Sequence, residues 1–231
     1  GLSCDIQARL GIPNYIPSFD LTAACTGLIY SLQVARGLIG SGLYKTVLII
    51  AADNNSRLVD WKDRGTSILF GDGVEDILSL DIRADGQIGQ YIYMNMPGEN
   101  CPLVEPCDPV ETHIRMAGRD VYKFVVSTLP KYVDLAIEEA GMTAEDIDYL
   151  IPHQANQRII EALQQRLQYP DEKVISNIKY YGNTSAASIP IALAEGVEQG
   201  KIKLGSTAIL CGFGAGMTWG AAVVRLREGI C

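Results

Sequence analysis

The sequence predicts an α/β protein assembled from two similar halves, and three observations carry that expectation. Strand-sized apolar runs alternate with longer segments in which apolar residues recur every three or four positions. In both halves a small-residue turn opens a helix that ends at glycine and leads into an apolar strand, which is the pattern of an internal duplication. The 231 residues, 48% hydrophobic and 20% charged, are ordinary globular usage and enough for one large or two modest domains. That composition excludes collagenous, low-complexity and coiled-coil classes.

The elements follow in order. After a short helical start ending at Gly11, residues 18–23 read as a buried strand running into a helix over about 25–39. Leu28, Ile29, Leu32, Ala35, Leu38 and Ile39 recur there at helical spacing, and Gly40-Ser41-Gly42 stops it. Residues 45–52 are a continuous apolar run, the signature of a strand covered on both faces, so the expectation is a β-α-β unit. An irregular stretch at 84–111, rich in Gly, Pro, Asn and Cys, is either the cover of a site or a surface excursion, and a helix over about 118–140 follows. Residues 147–152 then read as a strand, 154–167 and 185–198 as helices, and 206–211 and 217–225 as apolar strands joined by a glycine-rich turn at 212–216. We expect an N-terminal half at 1–110 and a C-terminal half at 111–231.

Charge and composition narrow the function. Nineteen Lys and Arg against 27 Asp and Glu give a net charge of -8, and no basic run stands out that would bind nucleic acid or an anionic membrane. The longest apolar runs fall well short of the roughly 20 residues that span a membrane. The start, Gly1-Leu2-Ser3-Cys4, has neither Met nor a signal-peptide pattern. Six Cys without CxxC spacing argue against zinc and against a disulfide framework, which fits a reducing cytoplasm. Imidazole chemistry has two candidates, His113 and His153.

Three junctions concentrate chemistry. Cys25 lies where a strand is expected to end and a helix to begin, where unpaired N–H groups and the helix dipole favour a thiolate. Position alone leaves it either a nucleophile or, as Cys4, Cys101, Cys107, Cys211 and Cys231 are read, a small apolar filler. His153 occupies a second strand end, where the helix dipole keeps an imidazole neutral and able to donate to an oxygen gaining charge. Asn183 occupies a third, as a helix cap or as a donor that cannot be titrated away. The turn at 212–216 leads from strand to strand, which excludes a dinucleotide fingerprint and suits backbone N–H donors of an oxyanion hole. Gly71-Asp72-Gly73 reads as a tight turn.

Four segments, Ala-Ala-Cys-Thr-Gly at 23–27, Pro-His-Gln-Ala-Asn at 152–156, Gly-Asn-Thr-Ser-Ala-Ala-Ser at 182–188 and Gly-Phe-Gly-Ala-Gly-Met-Thr-Trp-Gly at 212–220, occur in the order found in β-ketoacyl-acyl-carrier-protein synthase III. Asp-Trp-Lys-Asp-Arg at 60–64, Leu-Phe-Gly-Asp-Gly at 69–73 and Met-Ala-Gly-Arg-Asp-Val at 116–121 match too, so the chain resembles that family over nearly its whole length. The resemblance implies a thiolase-like fold of two duplicated halves in α-β-α-β-α layers, and a homodimer. It implies a Cys25–His153–Asn183 triad, an oxyanion hole from the N–H groups of Cys25 and Ala215, a substrate pocket at Phe213, Gly214 and Gly216, and carrier-protein docking at Arg158, with Arg166 nearby on the same helix.

The implied reaction is a decarboxylative condensation of an acyl coenzyme A with malonyl-acyl-carrier-protein. It needs neither metal nor redox cofactor, and is expected in the cytoplasm or, in a plant or alga, the plastid stroma. The rival readings are a related polyketide or quinolone condensing enzyme, a thiol acyl hydrolase, and an inactive protein that keeps the fold. Two departures stand out. The family carries a further N-terminal region, with an opening strand and part of the coenzyme A site, and a strand's worth of residues that this sequence lacks between Val74 and Glu75. We therefore expect further residues before Gly1 and at that junction.

Overall fold

A computed structural model describes residues 2–52, 76–93 and 114–226. Its organising feature is a four-stranded sheet in the order β1-β6-β5-β4, formed by β1 (Asp76–Ala84), β4 (Tyr149–Pro152), β5 (Thr207–Gly214) and β6 (Thr218–Arg225). β4 runs parallel to β5, and β5-β6 and β6-β1 are antiparallel. A two-residue ladder, β2 (Ile92–Tyr93) with β3 (Arg115–Met116), stands apart.

Both faces of the sheet are covered, which is why β4, β5 and β6 read as near-continuous apolar runs. All eight residues of β5 are buried. Their alternation splits the core: Ile209, Cys211 and Phe213 face one way, with Trp219, Ala221 and Val223 of β6, while Ala208, Leu210, Ala222 and Val224 face the other. The first face carries α3 (Gly118–Glu139), whose Val121, Val125, Leu129 and Val133 form a four-residue-spaced stripe, and α4 (Gln157–Leu167) through Ile159 and Leu163. The second face carries α2 (Gly27–Gly40) through Ile29 and Leu32, and α6 (Ser188–Glu198) through Ile189, Ala192 and Leu193. Each such fully buried aliphatic side chain contributes about 1.5–3 kcal/mol of transfer free energy. Three of the expected layers, α-β-α, are thus present among the described residues, with the short helices α1 (Leu2–Arg9) and α5 (Ile178–Tyr181) outside them.

The second half of the chain follows the sequence expectations closely, and the first half departs from them. Residues 18–23 and 45–52 are not strands, so among the described residues the expected β-α-β unit is absent. Phe19 is 61% exposed. In the second segment Val47, Ile49 and Ala51 are half-buried, whereas Leu48 is 64% and Ile50 37% exposed. Exposure in the second segment alternates as in a strand, yet apolar sequence reports a preference for burial and does not supply the neighbouring edge to which a strand must bond.

The glycine-rich segment also differs: Gly212, Phe213 and Gly214 continue β5, and the turn is confined to Ala215, Gly216 and Met217. β1 was unforeseen, and although it precedes residue 111 it is hydrogen-bonded to β6 in the sheet of the second half. Residues 53–75 and 94–113 lie outside the described residues, and with them the segments at 60–64 and 69–73, the junction of Val74 and Glu75, Cys101, Cys107 and His113; so do Gly1 and Cys231.

Candidate active site

The site is assembled where three chain segments abut the C-terminal end of β5. Cys25 sits in a single 3₁₀ turn, Ala24–Thr26, that runs directly into α2. Ala24 has φ +46, left-handed backbone that a residue with a Cβ adopts at a cost of about 1–2 kcal/mol. The turn is held from both sides. Thr26 Oγ1 lies 2.7 Å from the Ala23 carbonyl oxygen and 2.7 Å from Thr218 Oγ1, which itself lies 3.2 Å from the Ala215 carbonyl oxygen, so hydroxyls tie the Cys25 turn to the β5–β6 turn.

Two glycines in β5 explain how the other segments approach so closely. A Cβ on Gly214 would stand 3.0 Å from Cys25 N and 3.2 Å from Thr26 N, and one on Gly212 would stand 3.2 Å from His153 Cβ. Residues two apart share a strand face. Glycine at both positions therefore lets one face of β5 receive the Cys25 turn and the His153 corner side by side. The two residues reach this strand by independent routes: His153 N–H donates to the Cys211 carbonyl oxygen at 2.7 Å as β4 ends, while Cys25 lies in the turn that leads into α2.

His153 is 2% exposed, and burial pulls its pKa down to about 4, so the ring is neutral at pH 7. Its Nδ1 lies 2.6 Å from Ser188 Oγ, and its ring meets Phe213 edge to face at 5.6 Å between centroids. The corner is locked by the adjacent Gln154, fully buried, which sequence reasoning missed. Gln154 Oε1 accepts from Ser176 Oγ at 2.9 Å and from the N–H groups of Asn177 at 3.1 Å and Ile178 at 3.3 Å, while its Nε2 donates to the Pro152 carbonyl oxygen at 2.6 Å. A glutamine in a polar motif gave no sign of burial; its place between an apolar strand and a helix start was the available signal.

Asn183 lies one residue before Thr184, the N-cap of the 3₁₀ turn Ser185–Ala187 that leads into α6. The Asn183 Oδ1 accepts from Ser185 N–H at 2.8 Å, an Asx turn that opens into the 3₁₀ turn. With the carbonyl so occupied, the Nδ2 donor is left for other use; among the described residues it makes no hydrogen bond. Ser185, itself at φ +52, donates from Oγ to Cys25 Sγ at 3.4 Å, which links the Asn183 turn to the thiol.

The remaining candidates lie on the β5–β6 turn and on α4. Ala215 is half-buried in the β5–β6 turn, and Gly216, exposed at its tip, has φ +117, where glycine is favoured. Arg158 and Arg166 are exposed on α4, whose first turn is capped by Asn156 Oδ1 accepting from Arg158 N–H at 2.9 Å. Cys4 is exposed and Cys211 buried, with desolvation pushing the Cys211 thiol up to about 12 and leaving it inert. Among the described residues no cluster of His, Cys, Asp or Glu is arranged to hold a metal ion, and no helix is long and apolar enough to cross a membrane.

Comparison with known proteins gives a consistent result. Residues 19–78 match the family model described as 3-oxoacyl-[acyl-carrier-protein] synthase III, and residues 137–226 match the model of that enzyme's C-terminal region. The β-ketoacyl-[acyl-carrier-protein] synthase III of Thermosynechococcus vestitus is 43% identical over 97% of this chain and 72% of its own length. The crystal structure of the Aquifex aeolicus synthase III superposes with a TM-score of 0.81 at 40% identity, over 96% of this chain and 71% of that one. The priming β-ketosynthase of the R1128 polyketide pathway superposes with a TM-score of 0.84 at 32% identity, over 98% and 70%. Motifs, sheet and sequence identity agree: this chain belongs to the β-ketoacyl-acyl-carrier-protein synthase III family of thiolase-like condensing acyltransferases.

Proposed function

We propose that the chain carries out its family's reaction, the condensation of an acyl coenzyme A with malonyl-acyl-carrier-protein that initiates fatty acid biosynthesis, with Cys25, His153 and Asn183 as the reacting centre. In the first half-reaction the Cys25 thiolate attacks the thioester carbonyl and coenzyme A leaves as thiolate, so one C–S bond forms and one breaks. The tetrahedral oxyanion is held by the N–H groups of Cys25 and Ala215. In the second, malonyl-acyl-carrier-protein loses carbon dioxide, and the electron pair of the broken C–C bond becomes an enolate. Its oxygen is held by the neutral imidazole of His153 and the Asn183 amide. The enolate carbon attacks the Cys25 thioester, and the new C–C bond expels the thiolate for the next turnover. The chemistry uses no cofactor.

The observation that carries this reading is the close approach of Gly214 to Cys25 and of Gly212 to His153 on one face of β5, with Ser185 bridging the Asn183 turn to the thiol. Mass mapping after incubation with acetyl coenzyme A should place the acyl group on the Cys25 peptide. His153→Ala and Asn183→Ala should lose malonyl decarboxylation by about 10²-fold or more while Cys25 still acylates. Loss of acylation with decarboxylation intact would reverse the assignment. The acidic carrier protein docks on Arg158, the enzyme works as a homodimer, and the setting is cytoplasmic; sedimentation at micromolar concentration tests the dimer. A polyketide priming role has the R1128 likeness in its favour, and a preference for longer or branched acyl coenzyme A over acetyl coenzyme A would select it.

A further inference from the structure

The hydrogen bonds around Ser188 determine more than the position of the His153 ring. Ser188 is 1% exposed at the start of α6, and its Oγ has two partners among the described residues: the Gln154 backbone N–H, at 3.2 Å, and His153 Nδ1, at 2.6 Å. The Gln154 N–H can only donate, so it occupies one oxygen lone pair. A serine hydroxyl has one proton to give, and His153 Nδ1 is its one remaining partner. Were Nδ1 protonated instead, the oxygen would accept twice and its own proton would be left unpaired in a buried site, the costly arrangement. Nε2 of His153 makes no hydrogen bond among the described residues.

We propose that Ser188 is a positioning residue that donates its hydroxyl proton to His153 Nδ1 and so fixes the imidazole as the Nε2–H tautomer, a hydrogen-bond donor toward the substrate oxygen that cannot also act there as a base. This deepens the reading of His153 as an enolate-oxygen donor and rests on it. Burial, which keeps the ring neutral, makes the tautomer consequential: a neutral imidazole has one N–H, and its direction decides between donor and acceptor. The Gln154 network strengthens the arrangement, because the side chain that anchors this corner belongs to the residue whose N–H orients the serine.

The chain has two histidines, His113 and His153, which makes the test direct. With ¹⁵N-labelled histidine in the intact protein, the ring nitrogens report which of them carries the proton, and His113→Asn assigns the signals. The expected result at pH 7 is a protonated Nε2 and an unprotonated Nδ1 on His153. Ser188→Ala should shift the population toward Nδ1–H and lower kcat for malonyl decarboxylation tenfold or more, within the roughly 10²–10³-fold of a lost oxyanion donor, with Cys25 acylation retained. Ser188→Thr, which keeps the hydroxyl, should restore both. A wild-type Nδ1–H tautomer overturns the proposal, and so does an unchanged tautomer in Ser188→Ala. Should that variant not fold, Ser188→Cys, a weaker donor at the same place, gives the same comparison. If the tautomer is as stated but His153→Ala still decarboxylates, the catalytic assignment fails and the tautomer stands.

Discussion

Adding one methyl group at position 214 tests the architecture of the site more sharply than removing the thiol. The new Cβ would lie 3.0 Å from Cys25 N, 3.2 Å from Thr26 N and 3.3 Å from Cys25 Cβ, so two of its three nearest atoms are backbone. None is the tip of a flexible side chain that could turn aside. β5 is paired on both sides and buried along its length, so the strand cannot retreat and the Cys25 turn must move. Overpacking of this kind costs about 1–3 kcal/mol, which in a chain of this size lowers Tm by roughly 2–12 °C. Displacing the nucleophile by a few tenths of an ångström also disturbs attack geometry, and misplacement approaching 1 Å costs about 10²-fold in rate. Gly214→Ala should therefore slow Cys25 acylation by about 10–10²-fold, read by mass spectrometry over a time course, together with the loss in Tm. Gly37→Ala is the matched control: it lies inside α2 with nothing within 4 Å of the added methyl and should leave acylation unchanged while raising stability by up to about 1 kcal/mol. A Gly214→Ala protein with wild-type acylation and wild-type Tm would refute the claim that this glycine sets the distance between β5 and the nucleophile.

Two further outcomes follow from charge. His153 has a folded pKa of about 4 against an ordinary 6.5, so between those values the unfolded chain binds the extra proton. The contribution is fully present above about pH 6.5 and is lost as pH falls toward 4; it amounts to the order of 3 kcal/mol, read as a rise in the urea midpoint with pH that His153→Gln should flatten. An equal slope in the variant would locate the dependence elsewhere. Arg158→Glu should raise KM for malonyl-acyl-carrier-protein several-fold at low salt, less at high salt, and leave the acyl coenzyme A half-reaction alone; an unchanged KM at low salt excludes Arg158 as an anchor.

What was legible in the sequence depended on whether an element's partner lies among the same residues. β5 and β6 read as strands because each is the other's hydrogen-bonded neighbour and α3, α4, α2 and α6 cover the sheet. The segments 18–23 and 45–52 carry the same apolar signal, but among the described residues they bond to no neighbouring strand and form none themselves. The junction residues Cys25, His153 and Asn183 were visible from type and position, since small and polar residues beside strand-like runs are where side chains meet open backbone. Gly212 and Gly214 were misread as a turn, because sequence shows that glycine is needed and not whether the need is a positive φ or a neighbour's approach. Here it is approach: neither has the positive φ that Gly216 does.

The duplicated junction has a consequence that neither half has alone. Ala24 and Ser185 both hold left-handed backbone without being glycine, each opens a 3₁₀ turn, and each turn continues into a helix of the same sheet face. Such strain costs of order 1–3 kcal/mol per residue and persists only where the surroundings over-determine it. The surroundings of each turn include the other: a Cβ on Gly27 would stand 3.0 Å from Ala186 Cβ, and Ser185 reaches the Cys25 sulfur. One turn presents a thiol and the other an amide, so mutual support fixes their separation without a dedicated linker. Relaxing either backbone releases the other. Effects of substitution at Ala24 and Ser185 should accordingly be non-additive, whereas each should add simply to a substitution on the exposed face of α4.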